Sequence, residues 1–101
     1  RAGRAAFAEL WRASALEGRM GLMLTAEEAV AAAPDALVDL APQLLPILDG
    51  ADRSLAGDTA DLLGLIGSPT AVPALEALAA SADPDLAEAA ADALARLRDP
   101  A

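Results

Sequence analysis

Residues 62–75, which read LLGLIGSPTAVPAL, decide the fold of this chain of 101 residues. Gly67 follows a helix-forming apolar run, at the place where helices commonly end in a left-handed residue. Ser68 and Pro69 then turn the chain. Pro73 stands where the first turn of a second helix tolerates proline. The stretch therefore predicts two helices joined by a short turn.

The segments on either side of this turn continue the helical pattern. Upstream, Asp52 or Ser54 is placed to cap a helix whose apolar residues have helical spacing. The residues of this helix predicted to face the core are Leu55, Ala56, Thr59, Ala60, Leu63 and Ile66. Downstream, residues 81–85 form the next turn, and a further helix runs from Leu86 to Pro100.

The chain also repeats itself with a period of 31 residues. Ten of the 32 aligned pairs are identical, and no gap is needed. The matches that do not depend on Ala include Pro42 with Pro73, Asp52 with Asp83, Asp61 with Asp92 and Leu63 with Leu94. Residues 39–69 and 70–101 are therefore predicted to be two repeats. Each is a pair of antiparallel helices, and neighbouring pairs stack to complete one core.

Residues 1–38 precede the clear repeats. A helix is predicted over residues 3–17, and Thr25 with Glu28 forms a capping box that predicts a new helix ending before Pro34. We expect these residues to supply one or two degenerate layers that cap the stack. The whole chain is predicted to be one all-α domain, a short α-solenoid of three to four layers. It is expected to be the terminal part of a longer polypeptide.

The composition excludes most kinds of chemistry. The chain has no His, Cys or Tyr, and all seven basic residues are Arg. The commonest general base, thiol catalysis and Schiff-base chemistry are therefore missing. No apolar run is long enough to span a membrane, and no signal-peptide block is visible. We expect no enzymatic activity, no cofactor and no metal site, and a cytoplasmic location.

Charge is distributed unevenly along the chain. The first 22 residues hold four Arg against two Glu, whereas the remainder holds three Arg against fourteen acidic residues. The formal net charge is −9. An acidic body repels nucleic acids and anionic membranes. The expected partner is therefore another protein or another domain of the same polypeptide.

The junction at residues 62–75, together with Asp83-Pro84-Asp85 and AAADAL at residues 89–94, resembles HEAT-like repeats. The likeness is strongest to the short bacterial type associated with phycobilisome lyases, and it covers residues 39–101. It implies a right-handed superhelical solenoid that binds proteins, and such repeats also occur fused to enzymes. The chain departs from the pattern at Ala56-Gly57 and Ala87-Glu88, where the family usually has Arg. Lyase activity is not carried over, because His, Cys and Tyr are missing.

By this resemblance, the second helix of each repeat lines the inner curve of the solenoid and carries the candidate partner surface. Its residues are Asp58, Asp61 and Leu65 in the first repeat and Glu88, Asp92 and Arg96 in the second. Asp61 and Asp92 are expected to stack roughly 10 Å apart, as an acidic ladder for a basic segment of a partner. The alternative is a solvated face without a partner. The carboxylate pairs also suit Mg²⁺ or Ca²⁺, but no third ligand accompanies them.

A second candidate surface lies near the start of the chain. Phe7, Leu10 and Trp11 lie on one face of a predicted helix, in a segment that also carries Arg4, Arg12 and Arg19. Such a basic amphipathic helix suits docking on a membrane, a partner groove or another domain. The alternative is that Phe7, Leu10 and Trp11 pack on the first layer of their own stack.

These observations predict a protein-interaction or scaffolding module. The alternative is a regulatory or targeting appendage of an enzyme, for example of a redox or lyase domain elsewhere in a longer polypeptide.

Overall fold

Six α-helices and three 3₁₀ segments build residues 2–50 and 52–98, the part of the chain that the computed structural model describes. The α-helices are α1 (Ala2–Ala13), α2 (Leu16–Ala32), α3 (Ala41–Leu44), α4 (Arg53–Ile66), α5 (Val72–Ala79) and α6 (Pro84–Arg98). The 3₁₀ segments are Val38–Leu40, Leu45–Asp49 and Pro69–Ala71. Neither described range contains a β-strand, so the predicted all-α class is confirmed.

The helices stack as three pairs, α1 with α2, α3 with α4, and α5 with α6. The second members of the pairs lie side by side, with α4 between α2 and α6. The first members form the other row, in which α3 and its 3₁₀ continuation contact α1 and α5. We call α2, α4 and α6 the second-helix row. Each pair covers an apolar side of its neighbour, which is the packing of a helical solenoid.

The same local structure recurs at the 31-residue spacing. The 3₁₀ segments Val38–Leu40 and Pro69–Ala71 are equivalent, and each leads into an α-helix with proline in its first turn. The carboxylate of Asp52 accepts a hydrogen bond from the amide of Leu55 at 3.0 Å, and Asp83 caps α6 through the equivalent amide. The period in the sequence thus corresponds to a period in capping and turn geometry.

The boundaries and the buried side of α4 agree with the sequence prediction. Of the two candidate caps, Asp52 is used. Gly67 ends the helix with a φ of 78°, a conformation that glycine adopts without steric strain. The residues predicted to face the core are all buried, namely Leu55, Ala56, Thr59, Ala60, Leu63 and Ile66. This part of the prediction is confirmed.

Pro42 is the repeat equivalent of Pro73, so the sequence predicts that a helix begins there and runs through Leu48, but this helix is shorter in the structure. The α-helix stops at Leu44, and 3₁₀ geometry continues to Asp49. The reason is Pro46, which has no amide hydrogen and whose ring clashes with the carbonyl of the residue four positions earlier. That residue is Pro42, so the regular α-helical pattern cannot continue.

The N-terminal helices differ from the prediction. The helix predicted over residues 3–17 is α1, which ends at Ala13. The predicted capping box at Thr25 is wrong, because α2 runs through it, and the Thr25 hydroxyl donates to the carbonyl of Gly21 at 3.1 Å. Burial of Arg19 and Ala26 against the rest of the fold outweighs the weak helix propensity of Gly18 and Gly21 within α2. The predicted end of this helix before Pro34 is confirmed.

At Gly64, α4 lies very close to α6. A Cβ atom placed there would lie 3.0 Å from the Cα and 3.1 Å from the Cβ of Ala93 on α6. No residue larger than glycine fits without moving α6. Asp99 and Pro100, where the sequence predicts the end of α6, lie outside the described residues.

Candidate functional site

The exposed side of α4 and α6 brings most of the predicted acidic ladder together. Only Arg53, Ser54 and Asp61 are exposed on α4, because α4 is enclosed by its neighbours. Partial burial of the Asp61 carboxylate, followed by the negative charges of Asp58 and Asp92, raises its pKa. The positive charge of Arg96 opposes this rise. These groups therefore interact electrostatically across the two helices.

Asp58 differs from the other acids because it already has a counter-ion. The guanidinium of Arg19 is buried, with 4% of its side chain exposed, and its Nε donates to the Asp58 carboxylate at 2.8 Å. The other two nitrogens donate to the Ser14 carbonyl and the Ser54 hydroxyl, each at 2.9 Å. Asp58 thus joins α4 to α2 and is less available to a partner than the sequence suggested.

The other candidates on this side occupy unequal positions. Leu65 is half-buried and packs against the core, so it offers a partner only part of its side chain. Glu88 and Asp92 are exposed on α6, and neither forms an ion pair within residues 2–50 and 52–98. We call Asp61, Glu88 and Asp92 the acidic face. Whether they bind a partner stays a prediction.

Trp11 is in the interior of the fold and not on a docking surface. It is completely buried, and its Nε1 donates a 2.8 Å hydrogen bond to the hydroxyl of Thr59 on α4. Phe7 stacks on it, with ring centroids 6.3 Å apart. Leu10 is exposed. The docking-helix interpretation is therefore wrong for Trp11, because its side chain is already used in packing the first layer.

The cations assigned to that docking helix are also used elsewhere. Arg19 belongs to α2 and is buried, as described above. Arg12 pairs with Glu9 at 3.0 Å on its own helix. The side chain of Arg4 lies outside the described side chains. The two described cations therefore do not form the basic surface that the sequence suggested.

A groove between α2 and α4 was missed in the sequence analysis. Its volume is about 330 Å³. The lining residues include Leu16, Met20, Met23 and Leu24 of α2, the acids Glu27, Asp58 and Asp61, and Trp11 and Arg19 beneath them. Leu16, Met20 and Leu24 are each more than half exposed. Their four-residue spacing was the available signal. It was not recognised, because a helix was predicted to begin at Thr25 and these residues were therefore not assigned to one helix.

A surface ion-pair cluster links the second and third helix pairs. The guanidinium of Arg53 donates to Asp83 at 2.6 and 2.8 Å and to Asp85 at 2.9 Å. This contact lowers the pKa of Asp83 to about 2. Arg53 therefore links α4 of the second helix pair to the start of α6 in the third.

Within residues 2–50 and 52–98, no three acidic side chains are grouped so that they could hold a metal ion. In the same ranges, no helix has both the length and the apolar character needed to cross a bilayer.

Comparison with known proteins identifies the repeat. The family model for HEAT repeats matches residues 41–101, which covers more than half of the chain. No curated protein and no solved structure matched the chain. HEAT repeats generally mediate protein–protein interactions and are typically not catalytic. The match does not extend to the phycobilisome-lyase type in particular. On the family match and the stacked helix pairs together, the chain belongs to the HEAT repeat family.

Proposed function

We propose that this chain is a scaffolding module that holds a partner protein on the acidic face of α4 and α6. The observation that carries the proposal is the juxtaposition of Asp61 and Asp92. They occupy equivalent positions in neighbouring repeats, and the negative charge of Asp92 contributes to the raised pKa of Asp61. Neither forms an ion pair within the described ranges, so each carboxylate is free to pair with a cationic group of a partner.

The packing of the second-helix row supports this use of the surface. α4 is held between α2 and α6, and at Gly64 it lies so close to α6 that an added Cβ atom would be 3.0 Å from the Cα of Ala93. A backbone that is already held in place does not have to be ordered when a partner binds, which lowers the cost of binding. The acidic face is therefore preorganised by the core beneath it.

The proposal is tested by affinity capture from a lysate of the source organism, with the captured proteins identified by mass spectrometry. The wild-type chain is compared with an Asp61→Arg, Asp92→Arg double variant. The control is an Asp35→Arg, Asp49→Arg double variant, which shifts the net charge equally at exposed positions off the acidic face. Circular dichroism verifies that all three proteins are equally helical.

We expect a specific partner to be retained by the wild type and the control and lost by the Asp61/Asp92 variant. Equal retention by all three proteins would contradict a role for the acidic face. Absence of any specific partner would contradict the module itself and would favour an appendage of an enzyme.

A further inference from the structure

The groove between α2 and α4 combines an apolar side with an acidic side. Leu16, Met20 and Leu24 follow one another at four-residue intervals on one face of α2, so they form a stripe about 12 Å long. We call these three residues the apolar stripe. Asp61 stands on the α4 side of the same groove. Exposed apolar surface of this kind, next to polar residues, is typical of interaction sites.

We propose that this groove binds one amphipathic helix of a partner protein, which carries large apolar side chains toward α2 and Lys or Arg toward α4 and α6. This inference rests on the proposed function and specifies the chemistry of the partner. The helix would place its apolar residues on the apolar stripe and its cations within reach of Asp61 and Asp92.

The shape of the site favours a helix over an extended peptide. An extended peptide gains most of its affinity by pairing with the open edge of a sheet, and the described ranges contain no strand. A helix instead recognises a groove through side chains that recur every three or four residues. The apolar stripe has that same four-residue interval. The two methionines in the groove, Met20 and Met23, are flexible enough to adapt to the side chains of an incoming helix.

The charges of the site favour a basic helix. Glu27, Asp61 and Asp92 form no ion pairs within the described ranges, whereas Asp58 is already neutralised by Arg19. The charges of Asp58 and Asp92 also contribute to the raised pKa of Asp61, so the carboxylates repel one another. A Lys or Arg placed between them relieves this repulsion, and an acidic helix would increase it.

The same charges disfavour a second copy of the chain as the occupant. Each copy has a formal net charge of −9, so two copies repel each other over the whole surface. A basic helix from a different protein fits the groove better.

The proposal is tested with three synthetic helical peptides of about 18 residues that contain no Trp or Tyr. The first is amphipathic, with Leu on one face and Lys and Arg on the flanks. The second has Glu in place of every Lys and Arg, and the third has the composition of the first in an order without an apolar face. Trp11 is the only tryptophan and lies beneath the groove, so its fluorescence reports occupancy.

We expect the first peptide to change the Trp11 fluorescence saturably and to bind about tenfold or more tightly than the other two. Met20→Glu should weaken its binding by about tenfold or more, as loss of an interface anchor does. Leu10→Glu is the matched control, since Leu10 is 59% exposed and Met20 62% exposed. That substitution should leave the affinity unchanged, because Leu10 does not line the groove.

Three results of the peptide experiment would overturn the proposal. They are the absence of saturable binding, equal binding of the first and third peptides, and an affinity that Met20→Glu does not change. A fourth is a wild-type dimer in analytical ultracentrifugation that Met20→Glu converts to monomer, because the groove would then join two copies. A captured partner that is lost by the Asp61/Asp92 variant but retained by Met20→Glu would remove this inference and leave the proposed function standing.

Discussion

Replacement of Gly64 by Ala isolates the close approach of α4 and α6 from every other feature of the fold. The added Cβ would meet the Cα of Ala93 at 3.0 Å and its Cβ at 3.1 Å. One of these atoms belongs to the backbone of α6, so a side-chain rotation cannot relieve the contact. The matched control is Gly57→Ala on the same helix, where the nearest atom is the Leu86 Cδ2 at 3.6 Å, an ordinary contact distance.

The two substitutions should therefore differ in their effect on stability. Each exchanges glycine for alanine inside a helix, which contributes about 1 kcal/mol of helix propensity. At Gly57 this gain stands alone, and the free energy of unfolding should rise by about 0.5–1 kcal/mol. At Gly64 the overpacking penalty of about 1–3 kcal/mol opposes it. We expect Gly64→Ala to be less stable than Gly57→Ala by about 1–3 kcal/mol.

The measurement is equilibrium unfolding in urea, followed by Trp11 fluorescence and by circular dichroism. Coincident transitions and equal m-values would show that the two variants unfold from comparably compact states. If Gly64→Ala proved as stable as Gly57→Ala, α6 would be able to move away without penalty. The reasoning from the 3.0 Å contact would then be wrong.

Three further predictions concern the core and the ion-pair cluster. Thr59→Val removes the acceptor for the buried Trp11 Nε1 and should lower the free energy of unfolding in urea by about 1–3 kcal/mol. Thr59→Ser keeps a hydroxyl acceptor and should retain most of the wild-type stability. Equal losses in the two variants would show that the hydrogen bond contributes nothing. Leu63→Ala should lower the same free energy by about 2–5 kcal/mol, since Leu63 is fully buried, and a loss as small as that of a surface substitution would place it outside the core. Arg53 holds the pKa of Asp83 at about 2, below its ordinary value of 3.8, so this pair stabilises the fold fully above the ordinary value and progressively less as the pH falls toward 2. The melting temperatures of the wild type and Asp83→Asn, measured from pH 6 to pH 2, should therefore converge at the acid end, and a constant difference would contradict the ion pair.

The second half of the fold was predictable because its local and repeated signals agree. Asp52 caps a helix, Gly67 ends it, and proline opens the next one, each for a reason that depends only on neighbouring residues. The 31-residue period then repeats these signals, so a turn that is predicted correctly in one repeat also predicts the equivalent turn in the other. Local chemistry and repetition thus sufficed for the helix pairs of this half, apart from the length of α3, which ends at Leu44.

The first half was less predictable because its structure depends on distant contacts. Thr25 has the sequence of a helix start, but it lies inside α2, which is held by the burial of Arg19 and Ala26. Trp11 binds Thr59 across 48 residues. Position 90, the repeat equivalent of Thr59, is an alanine, so the period could not indicate that hydrogen bond.

The candidate site was likewise only partly predictable from the sequence. The positions of Asp61 and Asp92 follow from the repeat, which is a property of the sequence. The neutralisation of Asp58 and the groove of α2 do not, because both require the placement of α2 beside α4. A sequence pattern shows which residues share a helix face, but it does not show which of them a neighbouring helix has already engaged.

The buried polar contacts between the first and second helix pairs limit how this array can gain or lose repeats. A copy of the third helix pair inserted between the first two pairs would separate Arg19 from Asp58 and Trp11 from Thr59, because its equivalent residues are Ala89 and Ala90. It would leave a buried guanidinium and a buried indole N–H without partners, a loss of several kcal/mol. Between the second and third pairs, the polar link is the solvent-exposed Arg53 cluster, whose loss is milder. Evolution by repeat duplication should therefore lengthen the array at the second boundary and copy the first two pairs only as a single block.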